Sequence, residues 1–171
     1  MNQPKLVFPD YCHESAMKKY VNDLRQDHLP SLNGIGLYEK YDNHYQEWIQ
    51  KEKKMHLGVD LEKGLVPGTT LLYMMDKEII GSINIRHCLN EFLYHQGGHI
   101  GYSIAPQYRQ KGYATQMLKE VLKICQYWEI WPVLITCHEN NIASKKTIEK
   151  CGGKFENKYK NTLRYWIGEE K

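Results

Sequence analysis

Between Ser103 and Leu122 the chain reads SIAPQYRQKGYATQMLKEVL, a short apolar run, a basic turn and a strongly periodic segment. The periodic part constrains the fold most. Ala114, Met117, Leu118, Val121, Leu122 and Cys125 fall at i, i+3, i+4, i+7, i+8 and i+11, on one side of a helix that begins at Gly112. The preceding GHIGYSIAP reads as a strand ended by Pro106. A strand that feeds straight into an amphipathic helix is the unit of an α/β layout.

The flanking segments agree with that layout. HESAMKKYVNDLRQDHL spaces Ala16, Met17, Tyr20, Val21 and Leu24 for one helix side, and SLNGIG breaks it. DNHYQEWIQKEKKMHLG offers Asp42 as an N-cap and Gly58 as a stop, so two helices are expected before any strand. TTLLYMM and EIIGSINIRHCL, separated by DK, predict a hairpin. WPVLITCHE suits a central strand, NNIASKKTIEKCGG a short helix, and GKFENKYK and TLRYWIG two closing strands. The expected fold class is α/β (α+β): a mixed, mainly antiparallel central sheet flanked by helices, with one strand–helix–strand crossover. One domain over residues 1–171 is expected, helical to about residue 67 and strand-rich over about 68–168, since no repeat or linker divides the chain.

A net charge of +3, from 23 Lys and Arg against 20 Asp and Glu, is too mild to argue for nucleic acid or a membrane surface. Any anion site must be local. The five cysteines form no C-x-x-C pair and no disulfide framework, which predicts reduced, mostly buried thiols. With no signal-like N-terminus and no apolar run near the roughly 18 residues of a membrane span, a cytoplasmic protein is expected.

The turn is where a local anion site belongs. A helix that starts at the end of a strand aims its first N–H groups outward, Gly112 removes the side chain where a ligand comes close, and Arg109 and Lys111 add charge. Ala114 and Thr115 keep the first helical turn small, and a pyrophosphate is the natural guest. The spacing is not that of a P-loop, because Lys111 precedes Gly112, and Gly34 to Gly36 is a G-x-G without its third glycine.

Arg109-Gln110-Lys111-Gly112-Tyr113-Ala114 resembles the Q/R-x-x-G-x-G/A acetyl-CoA loop of the GCN5-related N-acetyltransferase (GNAT) superfamily, placed between a strand and a helix as in that family. Asn141, Ser144 and Gly152 repeat a second family spacing. The resemblance is closest over residues 99–153. It implies the GNAT-like acyl-CoA N-acyltransferase fold and acetyl-CoA as cosubstrate, without a metal. It also implies that Asn141 and Ser144 face the pantetheine and nucleotide end of the cofactor; Asn141 or Asn140 also suits a plain helix cap. The loop strand would offer backbone N–H groups near Ile104 and Ala105.

Related members often carry a Glu two residues before the Gly-Tyr of that strand, where this chain has His99, a base with an ordinary pKa of about 6.5. The alternative for His99 is a strand histidine satisfied by a neighbouring carbonyl. The family's thiolate-protonating Tyr, seven residues after the motif Asn, is Ile148 here, which leaves Tyr102 and Tyr165 as substitutes. The expected activity is direct acetyl transfer to a primary amine on a small molecule or peptide, in a groove with LRYWI on one wall, by a monomer or homodimer. The alternatives are a non-catalytic acyl-CoA-binding module and a small nucleic-acid-binding domain.

Overall fold

The computed structural model describes residues 3–27 and 32–168. Seven strands form one sheet in the order β1-β2-β3-β4-β5-β7-β6: β1 (Lys5–Val7), β2 (Gly68–Met75), β3 (Glu78–Arg86), β4 (Ile100–Ile104), β5 (Val133–His138), β6 (Lys154–Tyr159) and β7 (Thr162–Ile167). Every neighbouring pair is antiparallel except β4 and β5, the parallel pair joined by the predicted crossover. The helices are α1 (Glu14–Arg25), α2 (Tyr45–Leu57), α3 (Tyr113–Tyr127) and α4 (Ile142–Lys150).

The stripe on α1 buries Met17, Tyr20, Val21 and Leu24, and with Tyr45, Trp48 and Ile49 of α2 it covers one face of the β2–β3 half. The opposite face carries α3, whose Met117, Leu118, Val121, Leu122 and Cys125 pack on Ile83, Ile100, Ile104, Val133 and Ile135, with Ile148 of α4 beside them. Each such aliphatic side chain contributes about 1.5–3 kcal/mol on burial. A bulge lets β3 serve both cores. Tyr73 pairs with Gly81 but Met74 with Ile79, so Ile80 is extra: Ile79 faces α1 and α2, and Ile80 faces α3.

The structure departs from the sequence reading in three places. β1 precedes both N-terminal helices. Asp42 does not cap α2; that helix begins at Tyr45 after His44, and the Asp42 carboxylate lies 2.8 Å from Nη2 of Arg25. Cys12 and Cys88 are exposed, so burial holds only for Cys125 and Cys137, with Cys151 half-buried. Residues 28 and 29 of the first predicted helix, and Ser31 of its break, lie outside the described residues. No helix among the described residues is long and apolar enough to cross a membrane.

Candidate active site

β4 and β5 register at one pair only, Ile100 with Ile135. His99 secures that junction, since its N–H donates to Leu134 O at 2.7 Å and its Nδ1 accepts from Leu134 N–H at 2.9 Å. Beyond Ile100 the two strands part. The hydrogen bonds Arg86 N–H to His99 O and Ala105 N–H to Ile80 O fix the odd-numbered residues of β4 toward β3. By antiparallel alternation the N–H groups of Tyr102 and Ile104 then face the fork. Of the two donors expected at the strand end, Ile104 is open to a ligand and Ala105 is not, because its N–H is bonded to Ile80.

The fork leads to the opening of α3. Gln110 (φ 59°) and Gly112 (φ 85°) both take left-handed backbone, and Gly112 has open space where a Cβ would stand. The first helical bond runs from Gln116 N–H to Gly112 O, so the N–H groups of Tyr113, Ala114 and Thr115 lack helical partners, and among the described residues no side chain caps them. No acidic residue lies in this first turn, so the partial positive charge of the helix end is uncompensated there. Arg109 is anchored beside it, with Nε donating to Ile104 O at 3.0 Å and Nη1 paired with Asp27. Lys111 Nζ donates to Gln107 O and lies over the Tyr108 ring.

On the other prong Asn141 is the N-cap of α4, its Oδ1 accepting from Ser144 N–H at 3.0 Å; Asn140 does not cap. Ser144 Oγ meets the Tyr102 hydroxyl at 2.9 Å, a hydrogen bond that bridges the fork from β4 to α4. Burial pushes the Tyr102 phenol up to about 12, so it is a neutral donor at ordinary pH. Ile148 is fully buried in the core. Tyr165 lies in the same core, edge-on to Phe155 at 5.6 Å, and not in the fork. Gly152 takes left-handed backbone (φ 90°) just beyond α4.

The reverse face of the fork belongs to a different set of residues. Odd-numbered positions of β4 point there with Asn84 and Arg86 of β3, Leu134 and Thr136 of β5, and Arg164 and Trp166 of β7, by strand alternation and register. Helices α1 and α2 cover β2 and β3, while a π-helical turn, Leu93–Gly97, covers β5 and β7; Thr136 donates to Gln96 O and Arg164 to Tyr94 O. Between these covers a strip of half-buried residues remains, Asn84, Arg86, Gly101 and Thr136, and the Asn33–Gly34 segment closes its Ser103 end, with Ser103 Oγ donating to Asn33 O at 2.6 Å. Tyr20 closes its α1 side, its hydroxyl 2.8 Å from Ser103 Oγ. Only two of the LRYWI side chains, Arg164 and Trp166, face this way.

His99 borders the strip, but it is buried and its pKa is lowered to about 4, first by burial and then by Arg86. His95, four residues earlier, stacks on Tyr159 with ring centroids 4.8 Å apart. Among the described residues no three His, Cys, Asp or Glu side chains gather as a metal set. Neither Arg86 nor the turn after Phe92 stands out in the sequence. The signal for the first is Gly101, a glycine within a central strand, which marks close approach by another group.

The chain matches the family model for the acetyltransferase (GNAT) domain over residues 15–154. Comparison with curated proteins found no match. Among solved structures, a RimL ribosomal L7/L12 alpha-N-protein acetyltransferase in complex with coenzyme A has a TM-score of 0.69 at 16% identity, covering 97% of this chain and 93% of that one. The microcin C7 self-immunity acetyltransferase MccE, in complex with acetyl-CoA and AMP, reaches 0.68 at 14% identity over 98% and 93%. A Salmonella typhimurium acetyltransferase that modifies the N-terminal serine of ribosomal protein L7/L12 reaches 0.67 at 15% identity over 99% and 97%. These likenesses concern the fold. The family match spans most of the chain, and with a forked β4–β5 pair opening onto an uncapped α3 the chain belongs to the acetyltransferase (GNAT) domain family.

Proposed function

We propose that the chain transfers an acetyl group from acetyl-CoA directly to a primary amine while both are bound. The observation that carries this reading is the opening of α3 at the mouth of the fork, with an open Gly112 and three N–H groups that have no partner among the described residues. Acetyl-CoA supplies an activated thioester. The N–H groups of Tyr113, Ala114 and Thr115 hold the pyrophosphate, with Lys111 beside them. Those of Tyr102 and Ile104 hold the pantetheine and the thioester oxygen, as fixed donors aimed at developing charge.

The Tyr102 hydroxyl, released from Ser144 when the fork fills, takes the place of the missing acid at Ile148 and donates to the leaving sulfur. A thiol of reference pKa near 8.5 leaves with little help, which agrees with so plain an arrangement. The amine enters over Gly101 and loses its proton to water in the open strip. His99 is too weak a base for that task at neutral pH, and its Nδ1 is bonded to Leu134.

The test is turnover of acetyl-CoA across a panel of primary amines, with Tyr102→Phe beside the wild-type protein. Acetylated product and a 10- to 100-fold lower kcat in Tyr102→Phe, with KM for acetyl-CoA little changed, are expected. Binding of acetyl-CoA without transfer to any amine would leave a non-catalytic acyl-CoA module, the alternative that Ile148 keeps open.

A further inference from the structure

The open strip over β4 contains a cation without a counter-charge among the described residues. Arg86, the last residue of β3, is half-buried, and its guanidinium lies flat on Gly101: a Cβ there would stand 3.2, 3.3 and 3.5 Å from Nη2, Nη1 and Cζ. A side chain at Gly101 would crowd the guanidinium and force it to shift by a few tenths of an ångström. Nη1 donates to Gly97 O at 3.1 Å and Gly98 O at 3.5 Å, and no other atom of the guanidinium has a hydrogen-bond partner among the described residues. No carboxylate pairs with it among the described residues.

Its surroundings confirm the imbalance. Among the described residues the titratable side chains that border the strip are His99, held neutral, Tyr20, whose phenol burial pushes up to about 12, and Arg164, whose own charge is taken by Glu156 at 2.6 Å and whose ring contact is Tyr94. Burial alone lowers the Arg86 pKa, to about 10, with no opposing acid to raise it, so the group stays charged. A half-buried charge that meets only two backbone carbonyls is a costly arrangement for stability alone. A guanidinium presents a planar fork of donors, and two of its nitrogens are free here, which is the geometry that receives a carboxylate side-on.

We infer that Arg86, seated on Gly101, recognises a carboxylate on the acceptor, and that the substrates are primary amines carrying a carboxylate, such as ω-amino acids or peptides with an acidic residue near the N-terminus. This rests on the reading of the strip as the acceptor's entry. Arg86 acts as a specificity-determining residue: it holds the far end of the acceptor while the amine lies over Gly101 toward the fork.

The experiment uses ω-aminoalkanoates of two to six carbons and their carboxamides, with wild-type protein, Arg86→Gln and Arg86→Lys. Transfer is followed as kcat and KM, and binding of the same compounds to the CoA-saturated protein is followed by calorimetry. The wild type should favour the carboxylate over its amide by about 10- to 100-fold in kcat/KM, mostly through KM, with an optimum chain length. Arg86→Gln should abolish the preference while amide turnover and the acetyl-CoA melting shift persist. Arg86→Lys, a point charge without the fork, should keep part of it. Transfer to amides and carboxylates alike in the wild type, or a preference that survives in Arg86→Gln, overturns the assignment of Arg86 and leaves acetyl transfer standing. Failure to bind acetyl-CoA overturns acetyl transfer instead, and the calorimetric preference of the apo protein for carboxylates then decides Arg86 separately. Should Arg86→Gln not fold, the wild-type comparison and Arg86→Lys decide.

Discussion

His99 and Glu52 make opposite statements about pH. His99 has its pKa lowered to about 4 from 6.5, so the unfolded chain takes up its proton first and stability is lost as pH falls between about 6.5 and 4. Glu52, buried on α2 where it and Thr70 close on Gly36, has its pKa raised to about 7 from 4.5, with burial as the main cause. Its native form holds the proton longer, so its contribution is present below about 4.5 and is lost as pH rises through about 7. The two slopes oppose each other across pH 4.5–6.5, each at most about 1.4 kcal/mol per pH unit. Single variants separate them in urea melts at stepped pH. Glu52→Gln should gain over the wild type from pH 5 to 8, by about 1–3 kcal/mol, and then level off. His99→Asn, which keeps an acceptor near the Nδ1 position, should lose the acid-side slope and retain turnover within several-fold. His99→Ala, which leaves Leu134 N–H unpaired, should cost about 1–3 kcal/mol more. A 100-fold loss of turnover in His99→Asn that is rescued at alkaline pH would restore the imidazole to the role of base. The sequence puts His99 within the strand, whereas it stands one residue before β4. Its hydrogen bond to a residue 35 positions away is a tertiary fact that no local pattern carries.

At the scale of elements, what was legible is what has a period or a forced backbone. The α3 stripe, the β2–β3 hairpin and the glycine at the α3 start are local and were readable; so was Asn141, whose side chain caps α4. β1 was not, because three residues at a sheet edge show no alternation and gain their place only by pairing with Met74, Tyr73 and Leu72. The turn Leu93–Gly97 was hidden for a related reason: its role is to cover β5 and β7, and its partners Thr136 and Arg164 lie 40 and 70 residues on. The element that carries the function yields a sharp expectation. Gly112 has φ 85° and nothing within 4 Å of a built Cβ, so Gly112→Asn and Gly112→Asp should both fold, at a cost of about 1 kcal/mol for the left-handed backbone. Gly112→Asp also places a negative charge before the three free N–H groups. Calorimetric titration should find acetyl-CoA affinity lowered at least 100-fold in Gly112→Asp and clearly less in Gly112→Asn. Equal affinities in the two variants would mean that no phosphate lies at this helix start.

The whole molecule consists of two half-sheets that the core joins more firmly than the backbone does. β1–β4 and β5–β7 share one registered pair and the His99–Leu134 bonds, while α3 lays its apolar side across both halves, against Ile100 and Ile104 on one and Val133 and Ile135 on the other. A ligand in the fork would therefore reach three elements at once: the end of β4, the start of α3 and, once Tyr102 leaves Ser144, the start of α4. Because such a site exists only in the native state, acetyl-CoA at a hundredfold excess over its Kd should stabilise the protein by about 2.7 kcal/mol. For a chain of this size that corresponds to about 5–10 °C in Tm. Hydrogen exchange should show where the stabilisation acts. Amides of Tyr102, Ile104, Tyr113, Ala114, Thr115 and Ser144 should slow together on adding acetyl-CoA, whereas the edge strands β1 and β6 should follow only the global change. A rise in Tm with protection confined to α1 and α2 would place the cofactor on the other face of the sheet. An unchanged Tm at millimolar acetyl-CoA would remove the cofactor from the fork altogether.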